Sequence, residues 1–197
     1  MTKTIGSRIM IYVSLPWKNE LKRIKKYLES NSLYDKNGNT NEIKIFHFEK
    51  NLFISAFIIR KLIESDKMSD YIDNLSIKVK AYKPKKHIDK LHCYIDEDEY
   101  NWKNVEKKVI SIKDISNYLI HSYVFNFSIN DENYKCESFF VSSDYDRNKY
   151  LYEIQMKDWY KVLDKVSSDS ITRISRRFKE KNDDYVSIKK VCGVKKF

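Results

Sequence analysis

The run DISNYLIHSY places Asp114, Asn117 and His121 at i, i+3 and i+7, which is one face of a helix. A carboxylate on that face can orient an imidazole, an amide can hold a substrate oxygen or a phosphate, and an imidazole moves protons near neutral pH. The same residue types also have purely structural uses. An aspartate in a first turn complements the helix dipole, and a histidine at a helix end satisfies the last carbonyls.

Other candidate constellations are incomplete. Asp144, Asp146 and Asn148 alternate like the first half of a calcium loop, but Lys149 stands where that loop needs glycine and no glutamate follows at its twelfth place. The stretch SSDYDRN therefore reads as a hairpin turn, in which Arg147 can fold back onto Asp144 or meet a phosphate. Glu42-Ile43-Lys44 after Asp35 has only a chance likeness to a nuclease ExK arrangement. His87, His92 and Cys93 lack the second ligand pair that a tetrahedral zinc site requires. Three glycines in 197 residues leave no room for a phosphate-cradling loop, and no GxSxG elbow occurs. No metal and no cofactor is expected.

Within the first constellation, SNYLIHSY resembles a degraded signature of the HEPN-domain proteins, the helical family of prokaryotic toxins and defence ribonucleases. Their motif is Arg, a polar residue often Asn, three variable residues and His, frequently followed one residue later by Tyr. Asn117, His121 and Tyr123 fit those places, whereas Ser116 occupies the place of the arginine. The resemblance covers about eight residues and implies metal-independent RNA cleavage. Arg60, inside the apolar helix run, is then the candidate to replace the missing guanidinium. A broader resemblance, to bacterial proteins of about this size with no assigned activity, rests on SAFIIRKLIESDKMSD, NYLIHSYVF and FFVSSDYDRNKYLY. It marks Arg60, His121, Asp144 and Arg147 and implies no reaction.

Charge offers a second line. With 38 Lys plus Arg against 28 Asp plus Glu, the chain carries +10. The excess gathers in three places, at 18–26, at 78–90 and from Arg173 onward, where nine basic residues face three acids. Lys22, Arg23, Lys25, Lys26, Lys83, Lys85, Lys86, Arg147, Arg173, Arg176 and Arg177 are the candidate nucleic-acid contacts, and Tyr27, Tyr82 and Tyr185 are aromatics that can stack bases. An acidic protein partner would meet the same faces. No helix-turn-helix or zinc-finger pattern supports sequence-specific DNA reading.

The elements that must position these groups are read from periodicity. Pro16 opens a helix with Leu21, Ile24 and Leu28 inward and Lys18 and the other lysines outward. Phe48 to Met68 is apolar nearly all round and reads as a helix buried on most sides, with Glu64 one turn from Arg60. Ser76 to Tyr82 alternates as a strand, and 87–102 reads as an irregular connection anchored by Trp102. Ser111 with Asp114 opens a short helix ending near His121. SYVFNFSI, YKCESFFVS and KYLYEIQM follow as an antiparallel meander, then a helix capped by Asp158 with Trp159, Val162, Leu163 and Val166 inward. RISRRFKEK is compatible with a further helix and DYVSIKKV with a strand.

These readings give one α+β domain over 1–172, with N-terminal helices on a small, mainly antiparallel sheet, and a basic segment over 173–197. The apolar run Ile9 to Leu15 is too short to span a bilayer or to form a signal h-region. Three cysteines too far apart to pair simply suit a reducing cytoplasm. The residue usage resembles that of AT-rich bacterial or phage genomes. The expected function is a cytoplasmic nucleic-acid contact, to RNA or a duplex backbone. The alternatives are a divergent HEPN-like endoribonuclease using Arg60, Asn117 and His121, and a protein-interaction or antitoxin-like module.

Overall fold

A computed structural model describes residues 11–34, 39, 41–179 and 184–190, and for 176–179, 184–187 and 190 it describes the backbone alone. Pro16 sits in the first turn of α1 (Leu15–Ser30), which buries Leu21, Ile24 and Leu28 as its spacing predicts. Lys18 is buried with them instead of joining the basic outer side. Its Nζ donates to the Asp169 carbonyl at 2.7 Å, and burial lowers its pKa.

The second helix, α2 (Glu42–Glu64), starts six residues before the apolar run does. The Asn41 side chain accepts from the Lys44 amide at 3.0 Å, and Glu42 lies in the first turn where the dipole favours an acid. Its buried side carries Phe48, Leu52, Ala56, Ile58, Ile59 and Leu62. The opposite side is open to solvent, so the helix is not enclosed as its composition suggested. A turn through Asp66, at φ 57°, leads to the short α3 (Asp70–Asp73).

One mainly local antiparallel sheet carries the rest, in the order β2-β1-β5-β4-β3. Its strands are β1 (Ser76–Tyr82), β2 (Glu106–Ser111), β3 (Ser122–Ile129), β4 (Cys136–Ser143) and β5 (Leu151–Gln155). Strands β3 to β5 form the expected meander, and β5 then pairs with β1 through Ala81 and Tyr152. Between β2 and β3 runs α4 (Ile112–Ile120), and α5 (Met156–Ser168) follows β5. The α+β fold class is as expected.

One face of the sheet is covered by helices. Trp159 of α5 is fully buried, lies edge-on to Phe139 of β4 with ring centroids 5.9 Å apart, and donates its indole N–H to the Ser55 hydroxyl of α2 at 3.1 Å. On the other face, the connection 83–105 lays Ile88, Tyr100 and Trp102 over Tyr82, Val124 and Leu151.

Three local expectations are corrected. Asp158 does not cap α5; the helix begins two residues earlier, and Asp158 instead accepts from Lys161 at 2.8 Å. Residues 106–111, to which the patterning assigns no element before Ser111, form edge strand β2, whose alternation is masked because Val109 faces water while Lys108 lies over Tyr150 at 3.5 Å. RISRRFK is not helical: β6 (Arg173–Lys179) pairs in antiparallel register with β7 (Asp184–Lys190) as a separate ribbon.

That ribbon meets α3 through Lys189. Its ammonium is buried between Asp66 at 3.0 Å and Asp73 at 2.8 Å, and its backbone N–H donates to Asp70. Burial works against both charges and holds the Asp73 carboxyl above its usual range. At Lys189, hydrogen bonds to Asp73 and Asp66 outweigh burial and raise the ammonium pKa.

The three-element contact at Trp159 predicts that Trp159→Ala lowers the unfolding free energy by about 3–5 kcal/mol. Ser55→Ala, which strands a buried N–H, should cost about 1–3 kcal/mol. Urea denaturation measures both, and a Trp159→Ala loss under 1 kcal/mol would remove this contact from its central place.

Candidate functional site

Helix α4 is set by its own capping. The Ser111 hydroxyl oxygen accepts from the Asp114 amide at 3.0 Å, and the same hydroxyl donates to the Asp114 carboxylate at 2.6 Å. Ile112, Ile115 and Leu119 turn inward, which leaves Asp114, Asn117 and His121 along the outer side. His121 is the residue that ends the helix, its backbone N–H donating to the Asn117 carbonyl at 2.9 Å. The turn after β4 is stitched to that end, because the Asp144 amide donates to the His121 carbonyl at 3.3 Å.

A cleft of about 600 Å³ opens where α2, α4 and this turn meet. It is lined by Arg60 of α2, by Asp114, Asn117, Tyr118 and His121, and by residues 143–146 of the turn. Arg60, more than fifty residues before Asn117 and His121 in the chain, thus shares one opening with them. Ser116 is fully buried and donates to the Ile112 carbonyl at 2.8 Å. A guanidinium at that position would have to enter the core, so within this cleft Arg60 is the arginine on hand.

Most acids at the cleft are already answered. Asp144 pairs with Arg147, and Asp146 pairs with Lys149 at 3.1 Å. Glu64 accepts from Lys61 at 2.9 Å and from the Arg60 Nε at 2.5 Å. Those bonds, from Lys61 first and Arg60 second, hold the Glu64 carboxyl below its usual range. Arg60 spends only Nε on this pair, so among the described residues its two terminal nitrogens have no hydrogen-bond partner. The His121 ring has none either, and Asn117 Oδ1 is buried without one.

Aromatic groups form the cleft's floor and rim. Tyr118 stacks on Tyr152 at 5.0 Å with ring planes 6° apart, and burial pushes its hydroxyl pKa up. Tyr145 is 82% exposed, with the Lys149 ammonium 3.7 Å from its ring centre. Arg147 lies over the Tyr123 ring at 4.2 Å. Neither Tyr145 nor Tyr118 stood out in the sequence, where fifteen tyrosines offer no way to single out two.

The basic clusters come out differently. Arg23 is tied to Glu20, and Lys25 to Glu29 and Asp164. Lys83 pairs with Glu106 and Lys86 with Glu99, while Lys85 donates to the Glu97 carbonyl. Lys22 and Lys26 are exposed without an ion-pair partner among the described residues, and Arg173 opens β6 in an exposed position. The side chains of Arg176 and Arg177 lie outside the described residues, as do Asp35 and the Tyr185 side chain. Tyr82 is no stacking platform: it is buried and donates to Glu153. His92 pairs with Asp89, and no cluster of histidine, cysteine or acid among the described residues can hold a metal.

No protein-family model, no curated protein and no solved structure matches the chain. No helix among the described residues is long and apolar enough to cross a membrane.

Because the Glu64 carboxyl is lowered on folding, the stability it contributes is present above the ordinary glutamate pKa. That stability is lost as pH falls through the lowered value. Exposed pairs of this spacing are worth about 0.3–0.5 kcal/mol. Acid titration followed by NMR should therefore show the Glu64 carboxyl and the Arg60 Nε–H shifting together, at a pH below that of a free glutamate. Independent titration of the two signals would mean that the pair does not hold Arg60.

Proposed function

We propose that this chain contacts nucleic acid through its phosphate backbone, with the cleft between α2, α4 and the 143–146 turn as the seat of one phosphodiester. The observation that carries this reading is the convergence of unspent polar atoms: the Arg60 terminal nitrogens, the Asn117 amide and the His121 ring. Guanidinium nitrogens are forked donors suited to phosphate oxygens. Asn117 lines the same cleft, and its side-chain NH2 can donate to a phosphate or ribose oxygen. Tyr145 offers an exposed ring for a neighbouring base.

Electrostatics permits this approach. Of the acids at the opening, Asp144, Asp146 and Glu64 are paired with Arg147, Lys149, Lys61 and Arg60, while Asp114 accepts from the Ser111 hydroxyl alone, so a phosphate meets one carboxylate without a cation among the described residues. The ribbon β6–β7, which starts at Arg173, supplies basic residues along a second element. Arg23, Lys25, Lys83 and Lys86 are tied up in ion pairs, so the 18–26 and 83–86 clusters contribute less than their net charge suggests, with Lys22 and Lys26 still exposed.

A second reading is cleavage at the same seat, in the manner of a divergent HEPN-like endoribonuclease, and the unbonded imidazole of His121 favours it. The ribose 2′-oxygen would bond to the adjacent phosphorus while the P–O5′ bond breaks. His121 would take the hydroxyl proton and return it to the departing O5′, and Arg60 would stabilise charge on the phosphate.

Binding of labelled single-stranded RNA and of duplex DNA at two salt concentrations tests the first reading. The wild-type affinity should fall steeply as salt rises. Arg60→Ala and Asn117→Ala should each weaken RNA binding about tenfold, and truncation at Ser170 should reduce the salt slope. Binding that ignores both substitutions would place the contact elsewhere. Incubation with RNA in EDTA tests the second reading: cleavage that persists in both Arg60→Ala and His121→Ala would exclude it.

A further inference from the structure

The outward side of α2 carries an apolar stripe that is left exposed among the described residues. Ile43 is 70% exposed, Phe46 56%, Ile54 37% and Phe57 43%. These positions share one side of the helix, opposite Leu52, Ile59 and Leu62. Lys50 and Lys61 complete the stripe, and their ammonium groups each lie 5.7 Å from the ring centres of Phe46 and Phe57. The unit Ile-x2-Phe-x3-Lys therefore occurs twice, eleven residues apart. Eleven residues are close to three whole turns, so both copies face the same way about 16 Å apart. Side chains of these sizes expose on the order of 400 Å², the scale of the largest patch on an ordinary monomer.

We propose that this face is the interface of a two-fold, antiparallel dimer of this chain. A repeated unit on one helix face is self-complementary under a dyad passing near Lys50. That dyad sets Ile43 and Phe46 of one copy against Phe57 and Ile54 of the other, and both pairs are satisfied at once. Charge agrees at the ends of the stripe. Glu42, exposed and without an ion pair among the described residues, falls near Lys61 of the second copy, and antiparallel helices also set opposite dipole ends side by side. Only Lys50 opposes the arrangement, since it meets its own counterpart at the dyad. Its stem can lie along the apolar stripe while the ammonium stays over Phe46. The patch is about half of the usual ~800 Å² per partner, which places the dimer among the weak, concentration-dependent ones.

This proposal stands apart from the phosphate seat. Sedimentation velocity on the full chain, from 1 to about 300 μM, should show a shift from 23.8 kDa to twice that mass. Phe46→Glu with Phe57→Glu should keep the protein monomeric throughout, with an unchanged circular dichroism spectrum. Lys50→Leu, which removes the repulsion at the dyad, should tighten the dimer about tenfold. Ile43→Glu alone, at the most exposed position, should weaken it at least tenfold and serves if the double variant does not fold. A monomer at every concentration, or a dimer indifferent to Ile43→Glu, would overturn the proposal.

Discussion

The indole of Trp159 joins three elements of this protein, two helices and the sheet they cover. Its ring lies perpendicular to Phe139 on β4, its N–H reaches Ser55 on α2, and its backbone belongs to α5. A buried indole must place one apolar face and one donor at the same time, which fixes both the distance and the rotation of α2 against β4. Once α2 is fixed in that way, Arg60 is held beside α4 and the 143–146 turn. The position of the cleft follows from core packing rather than from any contact within the cleft.

The cleft also depends on how α4 ends. His121 closes the helix, and its carbonyl is taken by the Asp144 amide, so the turn that supplies Asp144, Tyr145 and Asp146 is tied to the helix that supplies Asn117. Arg147 and Lys149 then pair with the acids of the turn, Arg147 while stacking on Tyr123 and Lys149 while lying over Tyr145. Structural and chemical roles overlap here: the residues that shape the turn also set the charge that an anion would encounter.

How far this could be read from the sequence varied with the kind of signal. Period-two alternation located β1 to the residue, and the Ser111–Asp114 pair located the start of α4, because both signals are local. The helix start at Asn41 was less visible, since one capping amide sets it ahead of the apolar run. Strand β2 escaped notice because an edge strand can turn a valine to water and a lysine inward over a tyrosine. In RISRRFK the two apolar residues, Ile174 and Phe178, are four apart, a spacing that suits one face of a helix and one face of a strand alike. Only pairing with 184–190 resolves it. At the site, the face shared by Asp114, Asn117 and His121 was legible, whereas the arrival of Arg60 from another helix needed the tertiary fold. The ion pairing of Arg23, Lys25, Lys83 and Lys86 was invisible to a count of charges.

The three glycines, at 6, 38 and 193, all lie outside the described residues, so every described turn is made by residues with a Cβ. Two of these turns demand the left-handed region, and Asp66 and Tyr134 supply it at φ 57° and 55°. Tyr134 is compensated by stacking on Tyr34 at 5.0 Å and by accepting from the Leu33 amide at 2.9 Å, which pins the β3–β4 turn to the segment after α1. A chain so poor in glycine has fewer disordered conformations to give up on folding. Part of its stability is thus set by the narrowness of its unfolded ensemble, with a small local strain at two turns as the counterpart.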